Sequence, residues 1–511
     1  MKEAAVLKNS YYDSVTLMST TVQIKKDLNL DDLVMFMGTE MNKEMIQSVG
    51  LYQPILDSAQ PNDLMLAISS SETIDDWVNK VIERLTSKKK KDTSGENRRY
   101  HTLHQAKEAM DANIAVISVP GIYAAHEAYK ALDLNMHVML FSDNVSVEDE
   151  IGLKDYALKK DLLVMGPDCG TAIINGKGLC FANQVKRGSI GLVAASGTGL
   201  QEVTVIIDRF GGGITQAIGV GGRDLSEAIG GRMMLKGIDA LDQDESTQVI
   251  VLISKPPHQT VMEKMKARLK TITKPVVLCL LDAHDDEVIK NVYPTSTLTG
   301  AAVEALRLIG IQTPDLLTIS PELNREINLH RNQFSPDQKA IKGLFCGGTL
   351  TAEALSILRP YTQGLTSNVA KKKEEKMSNP LISKGHNLVD LGDDIFTQGK
   401  PHPMIEPTIR LSRLLEEAKN KETAVILLDF ELGLGSHDDP VGVTLDGIKE
   451  AQQLAKKQGR HLAFVGYVCG TEQDAQGLKY AEDRLRDSNV IVAKTNAQAA
   501  MIAAELIKEV A

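Results

Sequence analysis

Short runs that are apolar throughout alternate with amphipathic stretches along most of this chain. Strands without a polar face, each followed by a segment of helical period, predict parallel sheets covered on both sides by helices. The sharpest instance is residues 188–199. Ile190 to Val193 is apolar, Ser196-Gly197-Thr198-Gly199 follows at once, and Leu200 to Phe210 has helical spacing. This reads as a buried strand, a tight turn and a helix start. Small residues let a ligand approach the backbone, and the unpartnered first N–H groups of the helix favour an anion. A plain strand-to-helix connection is the other reading of the same residues.

The pattern divides the chain. Residues 1–87 predict a small α/β domain with strands at Ala4–Leu7, Leu33–Met37 and Asp63–Ile68 and helices at Ser14–Leu28, Glu40–Val49 and Ile74–Leu85, the last carrying Trp77. Residues 88–100, KKKKDTSGENRRY, have almost no apolar content and read as a solvated linker, in preference to a basic binding arm. Residues 101–187 predict a Rossmann-like unit whose strand ends read Val119-Pro120-Gly121, Ser142-Asp143-Asn144 and Gly166-Pro167-Asp168-Cys169. Residues 188–330 predict a flavodoxin-type unit, with AIGVGGRD at 217–224 and strands ending in Lys255 and Asp282. After a polar segment at 323–340, residues 341–511 restart the pattern with Gly347-Gly348-Thr349 between a strand and a helix. A polar stretch, Lys371 to Lys376, interrupts that second sheet. The fold class is therefore α/β, with doubly wound parallel sheets, whose ligands sit at the carboxyl ends of the strands.

Composition narrows the function. Of 511 residues, 43% are hydrophobic and 24% charged, ordinary values for a globular chain that, on length, holds about three or four domains. Aromatics at 4% and a net charge of −10 argue against nucleic acid or an anionic membrane as partner. Five scattered cysteines without a CxxC give neither a disulfide framework nor a zinc site, so no metal is expected, and a reducing cytoplasm fits. The first residues lack the apolar core of a signal peptide, and no run is long enough to span a membrane. Neither a GxxxxGK[ST] nor a strict GxGxxG is present, which removes the P-loop and the dinucleotide fingerprint.

Anion chemistry remains. Ser196, Gly197, Thr198 and Gly199 form one backbone cradle, and Gly219, Gly221 and Gly222 form another, with Arg223 and Asp224 beside it. Lys255 at a strand end either holds a phosphate or is a solvated surface lysine. Pro167, Asp168 and Cys169 shape the wall of the same crevice. Cys169 reads as a small buried thiol in preference to a nucleophile, since no histidine is near it in sequence. Gly347, Gly348, Thr349, Asp393, His402 and Ser436 suggest a second pocket. His402 and His437 are candidates for acid–base work, or are histidines bonded within polar loops.

The motifs ISVPG, FSDNVSVEDE, GPDCGTA, ASGTG, GGRDLS, SKPP, CGGTL, DLGDD, GKPHPMI and GSHDDP run in order nearly end to end, with Tyr12-Asp13-Ser14-Val15 near the start. In this combination the chain resembles the FdrA family. Its middle is similar to the α subunit of succinyl-CoA synthetase and other ADP-forming acyl-CoA ligases, and its C-terminal part to the ligase domain of that superfamily. The resemblance implies Rossmann-like CoA-binding and flavodoxin-like ligase domains, with CoA and ATP/ADP with Mg as candidate cofactors. It also implies an oligomer acting with separate partner subunits.

In succinyl-CoA synthetases the Ser-Gly-Thr turn lies near a phosphate handed to a histidine in a GHAGA loop. Here the corresponding region is 283–302, where Thr299-Gly300-Ala301-Ala302 is a remnant without histidine, and His284 lies in another context. Lys255 ends the strand on which that family places a glutamate. No ATP-grasp module is recognisable. The expectation is a subunit handling an acyl or carbamoyl phosphate and a carboxylate. FdrA-type proteins are associated with oxamate carbamoyltransfer in purine-ureide breakdown. An ADP-forming acyl-CoA ligase and a non-catalytic CoA- or metabolite-binding scaffold are the alternatives. In the favoured reading Lys255, Thr198 and His437 are the catalytic candidates.

Overall fold

The computed structural model describes residues 2–10, 12, 17, 20–21, 24–25, 32–70, 73–91, 100–282, 287–398 and 400–508. They form two compact units, Met1–His101 and Thr102–Ala511. In the first unit, strands β1 (Lys2–Leu7), β2 (Leu33–Met37) and β3 (Leu64–Ser69) make an antiparallel sheet of order β1-β3-β2. Alternation in β2 sends Leu33 and Met35 to one face, where Trp77 and Val81 pack. Val34 and Phe36 lie on the other face, with Ile46 and Leu56. The helix predicted to stop at Leu85 runs on to Lys91, into the expected linker, because lysines are good helix formers and nothing breaks the period before them. Of the Ser14–Leu28 prediction, Leu17, Thr20, Thr21, Ile24 and Lys25 are described, and all are helical.

The second unit holds three sheets. Strands β4 (Ile114–Ile117), β5 (His137–Leu140) and β6 (Val164–Met165) are parallel, in order β4-β5-β6. The hairpin β7 (Thr171–Ile174) and β8 (Lys177–Cys180) follows them in sequence, but its hydrogen bonds go to the next sheet. That sheet has the order β13-β12-β11-β9-β10-β7-β8. It is built on β9 (Arg187–Ala194), β10 (Ile214–Gly219), β11 (Val249–Ser254), β12 (Val276–Leu280) and β13 (Val292–Thr295). Its parallel core follows the flavodoxin-like order 2-1-3-4-5. The third sheet repeats that order, with β14 (Ala340–Phe345), β16 (Asn387–Asp390), β17 (Thr423–Glu431), β18 (Ala463–Cys469) and β19 (Val490–Ala493), and adds β15 (Thr366–Ser367) at the edge. The α/β fold class expected from the pattern is the one observed.

The two flavodoxin-like sheets share one core. Helices Gly197–Arg209, Leu298–Leu308, Gly348–Leu358 and Asn496–Ile507 pack against one another between them. Ala301, Ala302, Ala305, Ala354, Ala499, Ala500 and Ala503 are fully buried in that layer, and such small side chains let helices approach closely. The layer fixes how the turns at the ends of β9 and β14 meet. No helix among the described residues is long and apolar enough to cross a membrane.

Candidate functional site

The carboxyl ends of strands from all three sheets open onto one cavity of about 1040 Å³. Ser118 to Pro120, Phe141 to Asp143 and Asp168 come from the first sheet. Ser196 to Thr198, Gly222 and Ser254 to His258 come from the second. Cys346 to Thr349, Asp390 and His402 come from the third. This is the position that the topological switch rule assigns to ligands.

Two strand–turn–helix units face each other at its centre. Ser196 caps its helix, Oγ accepting from Gly199 N–H at 3.1 Å, and also meets the hydroxyl of Thr349. Gly347 precedes the other helix and gives it no side-chain cap. A Cβ on Gly347 would lie 2.7 Å from Thr198 Cγ2, so only glycine allows this approach. Two helix N-termini, each with unpartnered N–H groups and a partial positive charge, thus serve the same space. The separate second pocket expected around Gly347, Gly348 and Thr349 is instead the opposite wall of the first.

Lys255 follows β11, which runs in register beside β9, so Lys255 and the Ser196 turn are neighbours at the switch point. Its ammonium forms no ion pair among the described residues. Burial lowers its pKa, while Asp390 pulls it back up. Lys371 lines the cavity too, with its pKa lowered by burial. The polar stretch that carries it therefore contributes to the site as well as interrupting the sheet.

Asp390 ends β16 and is 8% exposed. Its Oδ1 accepts from Gly392 N–H at 2.9 Å, and a Cβ on Gly348 would lie 2.6 Å from Oδ2. Burial, then Asp393 and Asp429, push its carboxyl up to about 7, against the pull of Lys255. His402 is held by Met404 N–H, which donates to Nδ1 at 3.2 Å. Burial and the Arg410 guanidinium lower its pKa to about 4, so at neutral pH the ring is uncharged and carries its proton on Nε2. On the far wall Asp168 opens onto the cavity, yet burial and the carboxylates of Asp143 and Asp394 push it up to about 6.

Other predicted residues serve the fold. Arg223 does not line the cavity. It pairs with Glu150 at 2.9 Å and donates to Val145 O, which corrects its expected place over a phosphate. Asp224 is buried on Lys154 at 2.8 Å. Gly219 and Gly221 lie behind the cavity wall. Side chains there would collide with Thr171 O and Cys169 Sγ, and with Pro167 O. Pro167 is buried behind Asp168. Cys169 is buried and its thiol is pushed up to about 12, so it is the inert thiol that the sequence favoured. Asp393 caps the short helix Asp394–Thr397 through Oδ1, and does not line the cavity.

Ser436 and His437 lie on a loop that does not line the cavity, which corrects the acid–base role expected of His437. Gly433 and Gly435 in that loop have φ of 103° and 75° and press onto Ala182 and Cys180, and Leu434 N–H donates to Ala182 O. His437 Nδ1 accepts from Asp439 N–H at 3.0 Å. Ser436 Oγ is buried with no hydrogen-bond partner among the described residues. His284 lies outside the described residues.

Sequence reasoning missed His258, Lys371 and the Asp390 carboxyl. His258 sits at the rim, with Nε2 at 3.7 Å from Glu227 and Nδ1 at 3.0 Å from the Thr260 hydroxyl. The signal was available in SKPPHQT, since the residues just past a parallel strand lie where ligands bind. Among the described residues, one acidic cluster is close enough to hold a metal: Cys346, Asp429 and Glu431. Arg410 already fills it, bonding Asp429 at 2.5 Å and Cys346 Sγ. A divalent cation does not fit there.

The CoA-ligase family matches residues 344–506, and the CoA binding domain family matches residues 185–278, which lie in the seven-stranded sheet. The sequence reading gave CoA-binding character to 101–187. The family described as AllF, heavy metal-associated domain, matches residues 1–101, a segment whose first 100 residues contain no cysteine or histidine. An Escherichia coli protein, YahF, of uncharacterised role, is 46% identical over 98% of this chain and 97% of its own length. The α subunit of succinate–CoA ligase (ADP-forming) from Aquifex aeolicus is 29% identical over 35% of this chain and 59% of that subunit. A dinucleotide-forming acetyl-coenzyme A synthetase 1 of Ca. Korarchaeum cryptofilum, at 13% identity, superposes over 80% of this chain and 85% of its own with a TM-score of 0.31, too loose to carry an argument.

Proposed function

Because the chain belongs to the FdrA-like family of the succinyl-CoA synthetase superfamily, we propose that it is an enzyme subunit that handles an acyl or carbamoyl phosphate in this cavity. The observation that carries the reading is the meeting of two helix N-termini at Ser196 and Thr349, with Lys255, which has no ion-pair partner among the described residues, beside them. Preorganised N–H donors and the Lys255 cation suit a phosphate dianion and the charge that builds as its acyl group is transferred. No histidine stands in the remnant Thr299-Gly300-Ala301-Ala302, so we take the phosphate to be that of a substrate, with no phosphorylated side chain.

The specific reaction we propose is oxamate carbamoyltransfer. A phosphate oxygen attacks the carbamoyl carbon of oxalurate and the C–N bond breaks. The nitrogen leaves with a proton as oxamate, and carbamoyl phosphate forms. Ser196, Gly197, Thr198 and Gly199 cradle the phosphate, and Lys255 neutralises it. The protein acts in a reducing cytoplasm with separate subunits. The test is carbamoyl phosphate formation from oxalurate and phosphate by the purified complex. K255A and T198V should each lower it by at least tenfold. Undiminished rates in both would leave this crevice without a catalytic role and favour a non-catalytic binding subunit.

The similarity to an ADP-forming succinate–CoA ligase subunit supports a second reading, an acyl-CoA ligase using ATP, CoA and a short acid. The volume of the cavity suits a ligand longer than an acyl phosphate. Val119 and Pro120 at its wall, with Ile122 and Tyr123 exposed just beyond, offer the apolar contacts that would hold the pantetheine arm of CoA, whose thiol would accept the acyl group. Labelled ATP should then mark the chain at a histidine. No label at His258, His284, His402 or His437 would sink this reading.

A further inference from the structure

Two side chains on one wall of the cavity have complementary hydrogen-bonding faces and no partners for them. Asp390 spends Oδ1 on Gly392 N–H, and its Oδ2 has no hydrogen-bond partner among the described residues. His402 spends Nδ1 on Met404 N–H, and its Nε2–H has none either. The second is a donor, and the first is an acceptor when the Asp390 carboxyl is ionised, above about pH 7. Gly392 brings them together. Its Cα is so close to the His402 ring that a Cβ would collide with Nε2, and it would also lie 3.1 Å from Asp390 Oδ1. Asp390 Oδ2 in turn borders Gly348, the first residue of the helix facing the phosphate cradle. The Asn368 side chain exchanges two hydrogen bonds with the Asp390 backbone, Arg410 bonds Asp429 and Cys346, and the Lys255 ammonium acts on Asp390 through its charge, with no hydrogen bond between them among the described residues.

We infer that this pair reads a primary amide next to the phosphate, His402 Nε2–H donating to the carbonyl oxygen and Asp390 Oδ2 accepting from the NH2 group. The inference rests on the phosphate reading above and deepens it, since it selects a carbamoyl group over an acetyl group of the same shape. A site built to hydrogen-bond an N–H group rejects the methyl isostere because its own buried acceptor is left unpaired. Asp390 and His402 are here determinants of specificity that touch the substrate. The amide is that of the carbamoyl donor.

Two stable phosphonates separate these points by titration calorimetry on the full chain at pH 8.5, where Asp390 is ionised. Phosphonoacetamide carries the amide, and acetonylphosphonate has a methyl group in place of NH2. The wild-type chain should bind the amide about 10- to 100-fold more tightly. In D390N the amide oxygen must accept from Gly392 N–H, which turns the NH2 toward the cavity. The acceptor becomes a donor, and the preference should fall to within about twofold. H402F should weaken both ligands alike, and H402Q should restore both in part. An unchanged melting temperature establishes that D390N is folded. Equal wild-type affinities, or a preference that persists in D390N, overturn the amide inference and leave the phosphate cradle standing. Binding of neither phosphonate removes the cradle and the inference with it. Competition by oxamate without phosphate overturns the assignment of the amide to the donor, and competition only by phosphonoacetamide supports it.

Discussion

Glu202 and Glu353 each accept the first N–H groups of a helix that belongs to the other flavodoxin-like sheet. Glu202, on the helix after the Ser196 turn, takes Asn496 N–H at 3.1 Å and the hydroxyl of Tyr467. Glu353, on the helix after the Gly347 turn, takes Leu298 N–H at 2.6 Å and Asn496 Nδ2 at 2.8 Å. Each is the sixth residue of its helix, so the same offset from each turn is used reciprocally. The contacts that hold the sheets together begin one turn behind the cradle, which couples its geometry to the core.

Glu353 is fully buried. Burial first, then the Glu202 carboxylate, push it up to about 7. The folded chain thus holds this proton more tightly than the unfolded one, whose carboxyl titrates near 4.5. Its contribution to stability is complete below about pH 4.5 and declines as pH rises to about 7, then stays level. Denaturant unfolding at pH 5, 6, 7 and 8 should show this decline, and E353Q should make it shallower by about one proton. E353A, which strands two donors, should cost about 2–4 kcal/mol at every pH.

Lys154 supports the wall behind Gly221. It bonds Glu150 at 2.7 Å, Asp224 at 2.8 Å and Val220 O at 3.1 Å, and none of the three charged groups is more than 1% exposed. K154M leaves the buried Asp224 carboxylate without its cation and Glu150 with only the half-exposed Arg223, and should cost about 3–5 kcal/mol, read from the denaturation midpoint. R223A should cost far less, because the Arg223 side chain is half exposed and Glu150 keeps Lys154.

The layer order and the strand ends were legible because runs such as Ile190 to Val193 have no polar face and must be covered twice. The Ser196 turn was legible for the same reason. What escaped were relationships between distant segments. Arg223 looks like a phosphate ligand until Glu150, 73 residues earlier, is seen against it. Ser436 and His437 look like residues of a ligand loop, but Gly433 and Gly435 beside them turn that loop onto Ala182 and Cys180. The merging of two pockets into one depends on how two sheets pack through four helices, which no local pattern encodes.

Gly347 is the point at which the two turns touch. The Cβ of G347A would lie 2.7 Å from Thr198 Cγ2 and 2.9 Å from both its Cβ and Oγ1. One of the two turns must then move by several tenths of an ångström. G347A should weaken inorganic phosphate binding by about tenfold or more while shifting the melting temperature by only a few degrees. G347A with T198G, which removes the obstructing side chain, should recover the spacing of the turns. Calorimetric titration with phosphate on both variants checks this, and a double variant no better than G347A would place the fault elsewhere.

Asp168 faces two other carboxylates across the cavity, and its charge is unwelcome there. Its carboxyl is pushed up to about 6 by burial, then Asp143 and Asp394, with Arg223 pulling the other way. The folded chain again binds the proton more tightly than the unfolded one, so ionising Asp168 destabilises the fold as pH rises from about 4 to 6, and the loss persists above that. Its backbone φ is 53°, a left-handed conformation that asparagine tolerates as well as aspartate. D168N should therefore raise the melting temperature at pH 8 and leave it unchanged near pH 4. If the acidic wall instead repels the leaving carboxylate, turnover should rise through pH 6 in the wild type and lose that step in D168N. Melting curves and pH–rate profiles on the same two proteins separate the effect on stability from the effect on turnover.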